Sequence, residues 1–466
     1  MSTGPRIAFV FSGQGSQWRG MGRQLLAEEE VFRHALERCD AAIRQHADWS
    51  LLNELSAAEP RLDRIDVVQP LLWAMQVALA ALWRSWGIEP AAVVGQSMGE
   101  MAAARVAGAL SLEDAAQLIC HQGRVLRRPE AQGEMALVAL ACEEAQQALS
   151  GYEDRLFIAA TARFPSTLLS GDPAALAEVL AVLKSRGVFC GRIDVDAACH
   201  CPRLDPLLAD LQAGFTGIVP RITERPFYST VEVRVVEGRE LDAAYWARMA
   251  RQPVHFAAVL ELLVADGFEV FVEISPHPIL LPAIGLGLAH LGRDGTTLPS
   301  LRREAERETM RGSLAALKRL AAGGPRTAAS AGGSLRQELA AAGAARRRRR
   351  LESYVADKVA QVLNLATPQV ALDKPLRSQG LDSFMSVDLR NRLEIGLELT
   401  IPNAVVWNYP SVALLSSYLA DALGRKPNPA APGPAAPAVR TTALPALLAE
   451  IDQMSDDEAV EALRRR

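Results

Sequence analysis

The stretch that most constrains the fold of this chain lies between residues 91 and 110. A short apolar run, Ala91–Val94, has the composition of a buried strand, and the pattern Gly-x-Ser-x-Gly follows it at Gly95–Gly99. The next residues, Met101–Leu110, are rich in alanine and predict a helix. Strand, tight turn and helix in this order can hold the central Ser97 exposed as a nucleophile. An ordinary glycine and serine turn is the alternative, because the five-residue pattern by itself is common.

The residues around this serine suit such a turn. Gly95 and Gly99 have no Cβ atom, so a strand and a helix can approach each other closely there. The amide N–H of Met98 lies at the predicted helix start, where it could donate to an oxyanion. A loop with two glycines, Ser12–Gln17, follows the apolar strand Ile7–Phe11 and can bring backbone N–H groups near a ligand. A plain strand-to-helix turn is the alternative for that loop.

Composition narrows the class of protein. The chain has 466 residues, 49% of them hydrophobic and 22% charged, which is enough for two or more globular domains. A formal net charge of −4 gives no overall basic field for nucleic acid or a membrane. No signal peptide and no run of eighteen apolar residues is visible, so we expect no membrane span. The six cysteines are scattered, and Cys199–Cys201 has no second pair at zinc spacing, so we expect no metal. A reduced, cytoplasmic protein is the expectation.

The apolar patterns predict a large α/β body that is interrupted by a smaller unit. Helices and strands alternate up to about residue 128, and between about 130 and 195 the pattern changes to short strands with two helices. That order predicts an inserted α+β subdomain of ferredoxin-like type. Phe227–Glu232 and Val270–Ile274 return to strands of the body, which ends near residue 322. The first domain is therefore placed at residues 1–322.

The C-terminal third predicts a second, helical domain between two linkers. Residues 323–345 are rich in Gly, Ala and Ser, and residues 425–443 are rich in Pro and Ala. Residues 346–424 between them predict a small all-α domain of four helices. Its first five residues are arginines, for which a solvated helix start is favoured over a nucleic-acid or membrane patch. Residues 444–466 predict a terminal helix, and both a docking segment and a solvated tail stay open for it.

Several stretches together resemble one family. Gly13–Trp18, Gly95–Glu100 and Val195–His200 are similar to motifs of the acyltransferase domain of modular type I polyketide synthases. Supporting stretches are Gln69–Leu71, Tyr245–Trp246, Arg251–Val254, Ser275–Pro278 and Ser300–Glu304. The resemblance covers about residues 6–320 and implies a hydrolase-like α/β body.

The resemblance implies a two-step acyl transfer with an ester on Ser97. His200 would act as the general base for Ser97 and later for the incoming thiol. The backbone N–H groups of Gln14 and Met98 would hold the oxyanion. Members of this family typically orient the histidine through backbone carbonyls, and we expect the Ser275–His277 loop to supply them here.

The second domain contains a stretch, Gly380–Leu389, that resembles the phosphopantetheine site of an acyl carrier protein, and Asn408–Ser411 resembles a later turn of that family. The resemblance implies that Ser383 bears covalent 4′-phosphopantetheine, attached by a phosphopantetheinyl transferase. Ser383 also follows Asp382 at a predicted helix start, where a phosphodiester gains from the helix dipole. The alternative is that Ser383 only caps the helix.

The predicted acyl pocket departs from its relatives. In extender-selecting relatives an arginine on the helix after the elbow binds the free carboxylate of malonyl or methylmalonyl groups. Alignment places Gln122 at that position, and a neutral side chain does not compensate the desolvation of a carboxylate. Arg124 is expected to point elsewhere on the helix. Ala197 and Cys199 are small, which predicts a roomy, apolar pocket for a monocarboxylic acyl group.

The order of the domains completes the interpretation. The acyltransferase pattern begins near Met1 with no condensing domain before it, so we expect a loading module that takes a starter from acyl-coenzyme A, primes its carrier and passes the starter to a downstream ketosynthase. A malonyl- or methylmalonyl-selecting extender acyltransferase with its carrier is the main alternative. A hydrolase and a non-catalytic module that docks carriers are the other two.

Overall fold

A computed structural model describes residues 5–162, 166–193, 195, 197–303 and 305–322, and in the C-terminal third residues 339, 344–363, 369–379, 381, 386, 389–390, 392–394, 397, 399, 401 and 405–424. The strands are β1 (Ile7–Phe11), β2 (Ala92–Gly95), β3 (Glu134–Val138), β4 (Leu156–Ala162), β5 (Ser166–Gly171), β6 (Cys190–Ile193), β7 (Phe227–Ser229), β8 (Arg234–Val236), β9 (Val270–Ile274) and β10 (Thr296–Pro299).

The α-helices of the N-terminal domain are also numbered in chain order. They are α1 (Arg23–Glu28), α2 (Glu30–Ile43), α3 (Leu51–Ser56), α4 (Ile65–Ser85), α5 (Gly99–Val106), α6 (Leu112–Leu126), α7 (Cys142–Ala148), α8 (Pro173–Ser185), α9 (Leu208–Gly214), α10 (Ala243–Arg251), α11 (Phe256–Ala265), α12 (Leu281–His290) and α13 (Glu306–Ala321).

A six-stranded sheet organises this domain. Its strand order is β10-β9-β1-β2-β7-β8, and every pair is parallel except the β7–β8 hairpin. Strands β2 and β9 are buried along their whole length, and apart from Glu273 in β9 they contain only apolar residues and glycine. Because β1 and β2 are parallel neighbours, the loops that follow them emerge at the same edge of the sheet. The predicted α/β fold class is confirmed, and this edge carries the candidate site.

Helix α4 forms the centre of the helical layer. It packs against α2, α5 and α6, and its two tryptophans, Trp73 and Trp83, are completely buried. In the described part of the chain α4 alone has the length and hydropathy to cross a membrane, but 83% of its most apolar window is buried inside the protein. A helix that is apolar on most of its sides is typical of a domain core.

The inserted unit has the predicted topology. Its antiparallel sheet has the order β4-β5-β3-β6, and α7 and α8 connect the strands in a βαββαβ sequence. This is the ferredoxin-like arrangement. A small core of its own contains Ala136, Leu169, Leu176 and Leu180. The chain leaves the main body after α6 and returns to it just before the loop of His200.

Some local predictions differ from the structure. The strand expected over 227–232 ends at Ser229, because the chain turns back there into β8, with Val233 in a left-handed conformation (φ 53°) at the turn. The helix expected at Met101–Leu110 begins earlier and ends earlier, as α5. The helical pattern from residue 24 is divided into α1 and α2 by Glu29, which has extended backbone angles.

The described part of the C-terminal region is helical and has its own core. Its helices include α14 (Ala344–Leu363), α15 (Val405–Asn408) and α16 (Val412–Gly424). The core residues that these helices share include Leu351, Val355, Val359, Val412, Leu415 and Leu419. The arginine run lies within the first turns of α14, where Arg348 pairs with Glu352 across one turn. Linker 425–443, the tail 444–466 and most of linker 323–345 lie outside the described residues.

Candidate active site

The Gly-x-Ser-x-Gly motif forms the tight turn between a strand and a helix that the sequence predicts. Ser97 lies between the end of β2 at Gly95 and the start of α5 at Gly99, and its backbone is left-handed (φ 55°). A Cβ atom on Gly95 would lie 2.2 Å from the nitrogen of Glu100, and one on Gly99 would lie 2.2 Å from the carbonyl oxygen of Phe11. Only glycine fits at these two positions, so the turn presents the Ser97 hydroxyl at the carboxyl edge of the sheet.

His200 reaches the serine from a separate loop. Its Nε2 lies 2.7 Å from Ser97 Oγ, and its Nδ1 lies 3.0 Å from the carbonyl oxygen of Gln252. Because a carbonyl oxygen can only accept, Nδ1 bears the proton and Nε2 is the acceptor for the Ser97 hydroxyl. The backbone N–H of His200 also donates to the carbonyl of Ala250, at 3.0 Å. The prediction that the loop at 275–277 orients the histidine was therefore wrong.

Burial sets the protonation state of this histidine. Desolvation lowers the pKa of His200 from 6.5 to about 4, although the hydrogen bond to the Gln252 carbonyl opposes that shift. The imidazole is therefore neutral around pH 7 and free to take a proton from Ser97. Backbone carbonyls, rather than a carboxylate, hold it in place.

The loop after β1 lies directly beside the nucleophile. A Cβ atom on Gly13 would be 3.5 Å from Ser97 Cβ and 3.2 Å from the carbonyl oxygen of Gln96. Neither the N–H of Gln14, the next residue, nor the N–H of Met98 donates a hydrogen bond within the described part of the chain. Two unpaired amides flanking a nucleophile have the character of an oxyanion site.

The Ser275–Ile279 loop contacts the segment after β1 (Ser12–Trp18) instead of the histidine. Trp18 Nε1 donates to the carbonyl of Pro276 at 3.0 Å and so joins the two loops. Glu273, fully buried at the end of β9, accepts the hydroxyl of Ser275 at 3.1 Å and the N–H of Ile279 at 2.8 Å. From the other side, Gln76 of α4 donates to the Ser12 carbonyl at 2.7 Å.

Gln122 is an inward-facing residue of α6. Its side chain is 2% exposed, and its Nε2 donates to Gln69 Oε1 of α4 at 3.1 Å. Its own Oε1 is buried with no hydrogen-bond partner among the described residues. Arg124, two residues further, is exposed and donates to the carbonyl of His46, so it points away from the interior. The buried polar contact between α6 and α4 is therefore formed by two neutral amide side chains, those of Gln122 and Gln69.

The two small residues before His200 take different positions. Ala197 is completely buried in the main core and forms an isolated bridge with Gln132, whereas Cys199 is half-buried against that core. All six cysteines are described, and none is in a disulfide. Among the described residues no group of three His, Cys, Asp or Glu side chains is arranged to hold a metal ion.

Ser383 lies outside the described residues, but its flanks are described. Leu381 is 3% exposed and Leu389 is completely buried, so the chain is anchored in the helical core on both sides of the serine. Ser386 and Leu389 are helical.

Sequence reasoning missed several residues that shape the site. Gln252 and Gln69 lie in stretches that supported the family resemblance, but no role was assigned to either. Glu100 closes the elbow motif, and its partners Thr230 and Tyr245 follow far along the chain. The signal that could have found Glu100 is a carboxylate in the first turn of a helix that is otherwise rich in alanine.

Comparison with known proteins agrees with this geometry. Residues 8–327 match the family model of the acyl transferase domain, and residues 353–419 match that of the phosphopantetheine attachment site. The spectinabilin polyketide synthase system protein NorA′ of Streptomyces orinoci is 45% identical over 302 residues, which are 64% of this chain. Erythronolide synthase EryA2 of Saccharopolyspora erythraea is 44% identical over 283 residues, or 60% of the chain. The matched region spans 8% of the length of each of these relatives.

Solved structures show the same fold. The acyltransferase domain from module 8 of the salinomycin polyketide synthase is 41% identical with a TM-score of 0.66, and the match covers 69% of this chain and 76% of that one. A loading acyltransferase from the avermectin modular polyketide synthase is 38% identical with a TM-score of 0.65, covering 67% and 99%. The chain therefore belongs to the acyl transferase domain family of modular polyketide synthases, and it continues into a carrier domain for covalent 4′-phosphopantetheine.

Proposed function

We propose that this acyltransferase moves an acyl group from acyl-coenzyme A to Ser97 and from there to the carrier domain at Ser383. The observation that carries the proposal is the 2.7 Å contact between Ser97 Oγ and His200 Nε2, with Nδ1 fixed by a backbone carbonyl. A serine paired with a neutral, oriented histidine is an activated nucleophile.

In the first half-reaction His200 takes the hydroxyl proton as Ser97 Oγ bonds to the thioester carbon. The developing oxyanion accepts from the amides of Gln14 and Met98. When the C–S bond breaks, the coenzyme A thiolate leaves with the proton from His200, and an acyl ester remains on Ser97. Since the histidine is neutral at the start, it begins each cycle as a base.

Ser383 would hold 4′-phosphopantetheine, whose terminal thiol would supply the acceptor for the acyl group on Ser97. His200 would take the thiol proton and then return it to Ser97 Oγ as the ester bond breaks. The same two amides, of Gln14 and Met98, would hold the second oxyanion. One set of residues thus serves both halves of a ping-pong reaction.

The acyl group we propose is monocarboxylic. Gln122 is buried and paired with neutral Gln69, and nothing in that pair carries a positive charge. A free carboxylate placed against it would lose its hydration without gaining an ion pair, at a cost of several kcal/mol. This favours the role of a loading module. The similar structure from the avermectin synthase is named as a loading acyltransferase.

A second candidate is an extender acyltransferase for malonyl or methylmalonyl groups. It is favoured by the likeness to the acyltransferase from module 8 of the salinomycin synthase, which is as strong as the likeness to the loading enzyme. Delivery of the starter to a downstream ketosynthase belongs to the loading proposal. The cytoplasmic location stays a prediction.

A donor competition separates the two candidates. The full chain is converted to its phosphopantetheine form and mixed with equal amounts of acetyl-, propionyl-, isobutyryl-, benzoyl-, malonyl- and methylmalonyl-coenzyme A, and intact mass identifies the acyl group on the carrier. A monocarboxylic mass supports loading, and a malonyl or methylmalonyl mass supports extension. Ser97→Ala should abolish the gain, whereas Ser185→Ala on the surface of α8 should retain it. A gain that survives Ser97→Ala would contradict both candidates.

A further inference from the structure

A carboxylate that the reaction does not use lies three residues after the nucleophile. Glu100, in the first turn of α5, is completely buried. Its Oε1 accepts from the backbone N–H and the hydroxyl of Thr230, both at 2.6 Å, and its Oε2 accepts from the hydroxyl of Tyr245 at 2.5 Å. Burying a carboxyl group in a protein core is costly unless such bonds compensate it. The three hydrogen bonds offset the cost of burying the Glu100 carboxyl, and they join α5 to Thr230 and to Tyr245.

Tyr245 belongs to the helix that holds the histidine. It lies in α10, and the end of that helix presents the carbonyl of Ala250 to the backbone N–H of His200, at 3.0 Å. The carbonyl of Gln252, which caps the same helix, accepts from His200 Nδ1 at 3.0 Å. Two turns of helix therefore connect the Tyr245 hydroxyl rigidly to the groups that orient the imidazole.

Glu100 belongs to the element that holds the serine. Helix α5 begins at Gly99, directly after the turn of Ser97. Thr230 ties a third segment to the same carboxylate, because its carbonyl accepts from the N–H of His255, just beyond α10. Glu100 thus lies at the junction of the serine element and the histidine element.

We propose that Glu100 and Tyr245 are positioning residues that set the distance between Ser97 Oγ and His200 Nε2. The inference rests on the proposed roles of Ser97 and His200. Without the bond from Tyr245 to Glu100, α10 can shift relative to α5 and carry the imidazole with it. A displacement of about 1 Å at reacting groups can cost on the order of 100-fold in rate.

The environment of Tyr245 supports a fixed geometry. Its hydroxyl also lies 2.7 Å from Ser229 Oγ, and its ring meets the Trp246 ring edge to face at 5.1 Å. Burial raises the pKa of Glu100 to about 7, while the bonds from Thr230 and Tyr245 oppose that rise by favouring the charged form. Glu100, Thr230 and Tyr245 are each at most 1% exposed, which leaves no surface for a ligand and confines their action to position.

The test isolates the first half-reaction. In the full chain with Ser383→Ala, the acyl group stops on Ser97, and rapid quenching gives the limiting acylation rate and the half-saturating donor concentration. Tyr245→Phe should lower the limiting rate by about 10- to 100-fold and leave half-saturation within about twofold. The rate at which a fluorophosphonate reagent modifies Ser97 should fall in parallel, because that reaction needs the serine–histidine pair but not the acyl pocket.

Tyr228→Phe is the matched control. It removes another tyrosine hydroxyl that donates to a carboxylate, Asp266 Oδ2 at 2.5 Å, on a bond that joins β7 to the end of α11 rather than the two catalytic elements. This variant should acylate at the rate of the unchanged protein. Equal losses in Tyr228→Phe and Tyr245→Phe would overturn the proposal.

Two further results would also overturn it. One is a folded Tyr245→Phe protein with an unchanged limiting rate, and the other is a loss confined to half-saturation. If Tyr245→Phe melts below the assay temperature, Glu100→Gln replaces it, since the amide has nearly the same volume and keeps one acceptor; the same fall in limiting rate is expected. Acylation that persists in Ser97→Ala would instead refute the proposed function, so the two failures are distinguishable.

Discussion

The buried carboxyl of Glu273 makes the stability of this protein depend on pH. Besides the Ser275 hydroxyl, it accepts the backbone N–H groups of Ile279, Leu280 and Leu281. Burial raises its pKa from 4.5 to about 7, even though these bonds favour the charged form. The folded protein therefore binds this proton more tightly than the unfolded chain does.

The sign and the size follow from that difference. Below pH 4.5 Glu273 is protonated in both states, and its contribution to stability is fully present. As the pH rises towards 7, the unfolded chain gives up the proton first, so the free energy of unfolding falls by about 1.4 kcal/mol per pH unit. Over the window from 4.5 to about 7 the loss amounts to roughly 3 kcal/mol, and above it the contribution is constant.

The perturbation is Glu273→Gln, which removes the titration. Urea unfolding of both proteins, followed by tryptophan fluorescence, gives the difference in their free energies of unfolding at each pH. That difference should shift in favour of the unchanged protein by roughly 2 to 3 kcal/mol between about pH 8 and about pH 5. Glu308→Gln, at an exposed position of α13, is the control and should show no such shift. A Glu273→Gln difference that is the same at both pH values would refute the reasoning.

Three other predictions concern the site. Since burial lowers the pKa of His200 to about 4, the acylation rate should rise through that pH and show no histidine limb near 6.5; a limb there in the measured pH–rate profile would contradict the assignment. Gly99→Ala places a Cβ atom 2.2 Å from the Phe11 carbonyl oxygen, so acylation should fall more than about 100-fold, whereas Gly285→Ala, with open space around it, should retain the rate. Gln122→Arg should raise the share of malonyl-type groups in the donor competition, and an unchanged share would refute the role of Gln122.

The local geometry of the elbow could be predicted because its cause is local. Gly95 and Gly99 are required because a Cβ atom at either position would clash with the adjoining helix or strand. A Gly-x-Ser-x-Gly pattern between an apolar run and a helix therefore predicts the turn. The inserted subdomain was predictable for the same reason, since its strands and helices alternate along the chain. The α/β class then followed from the surrounding apolar segments.

The surroundings of the histidine could not be predicted in this way. His200 and Gln252 lie 52 residues apart, and no periodicity relates them. The prediction that the Ser275–His277 loop orients the histidine was wrong. That loop instead contacts the segment after β1, through the bond from Trp18 to the Pro276 carbonyl. Tertiary packing, which places Gln252 at the end of α10 beside His200, decides between such alternatives.

The central claim is that Ser97 carries the acyl group between donor and carrier. The most direct measurement is peptide mass mapping of the full chain with Ser383→Ala after brief exposure to a propionyl-coenzyme A donor and acid quenching. We predict one propionyl group on the peptide that contains Ser97, and none when Ser97→Ala is added. An acyl group on any other residue, or none on Ser97 when the unchanged protein loads its carrier from the same donor, would contradict the account.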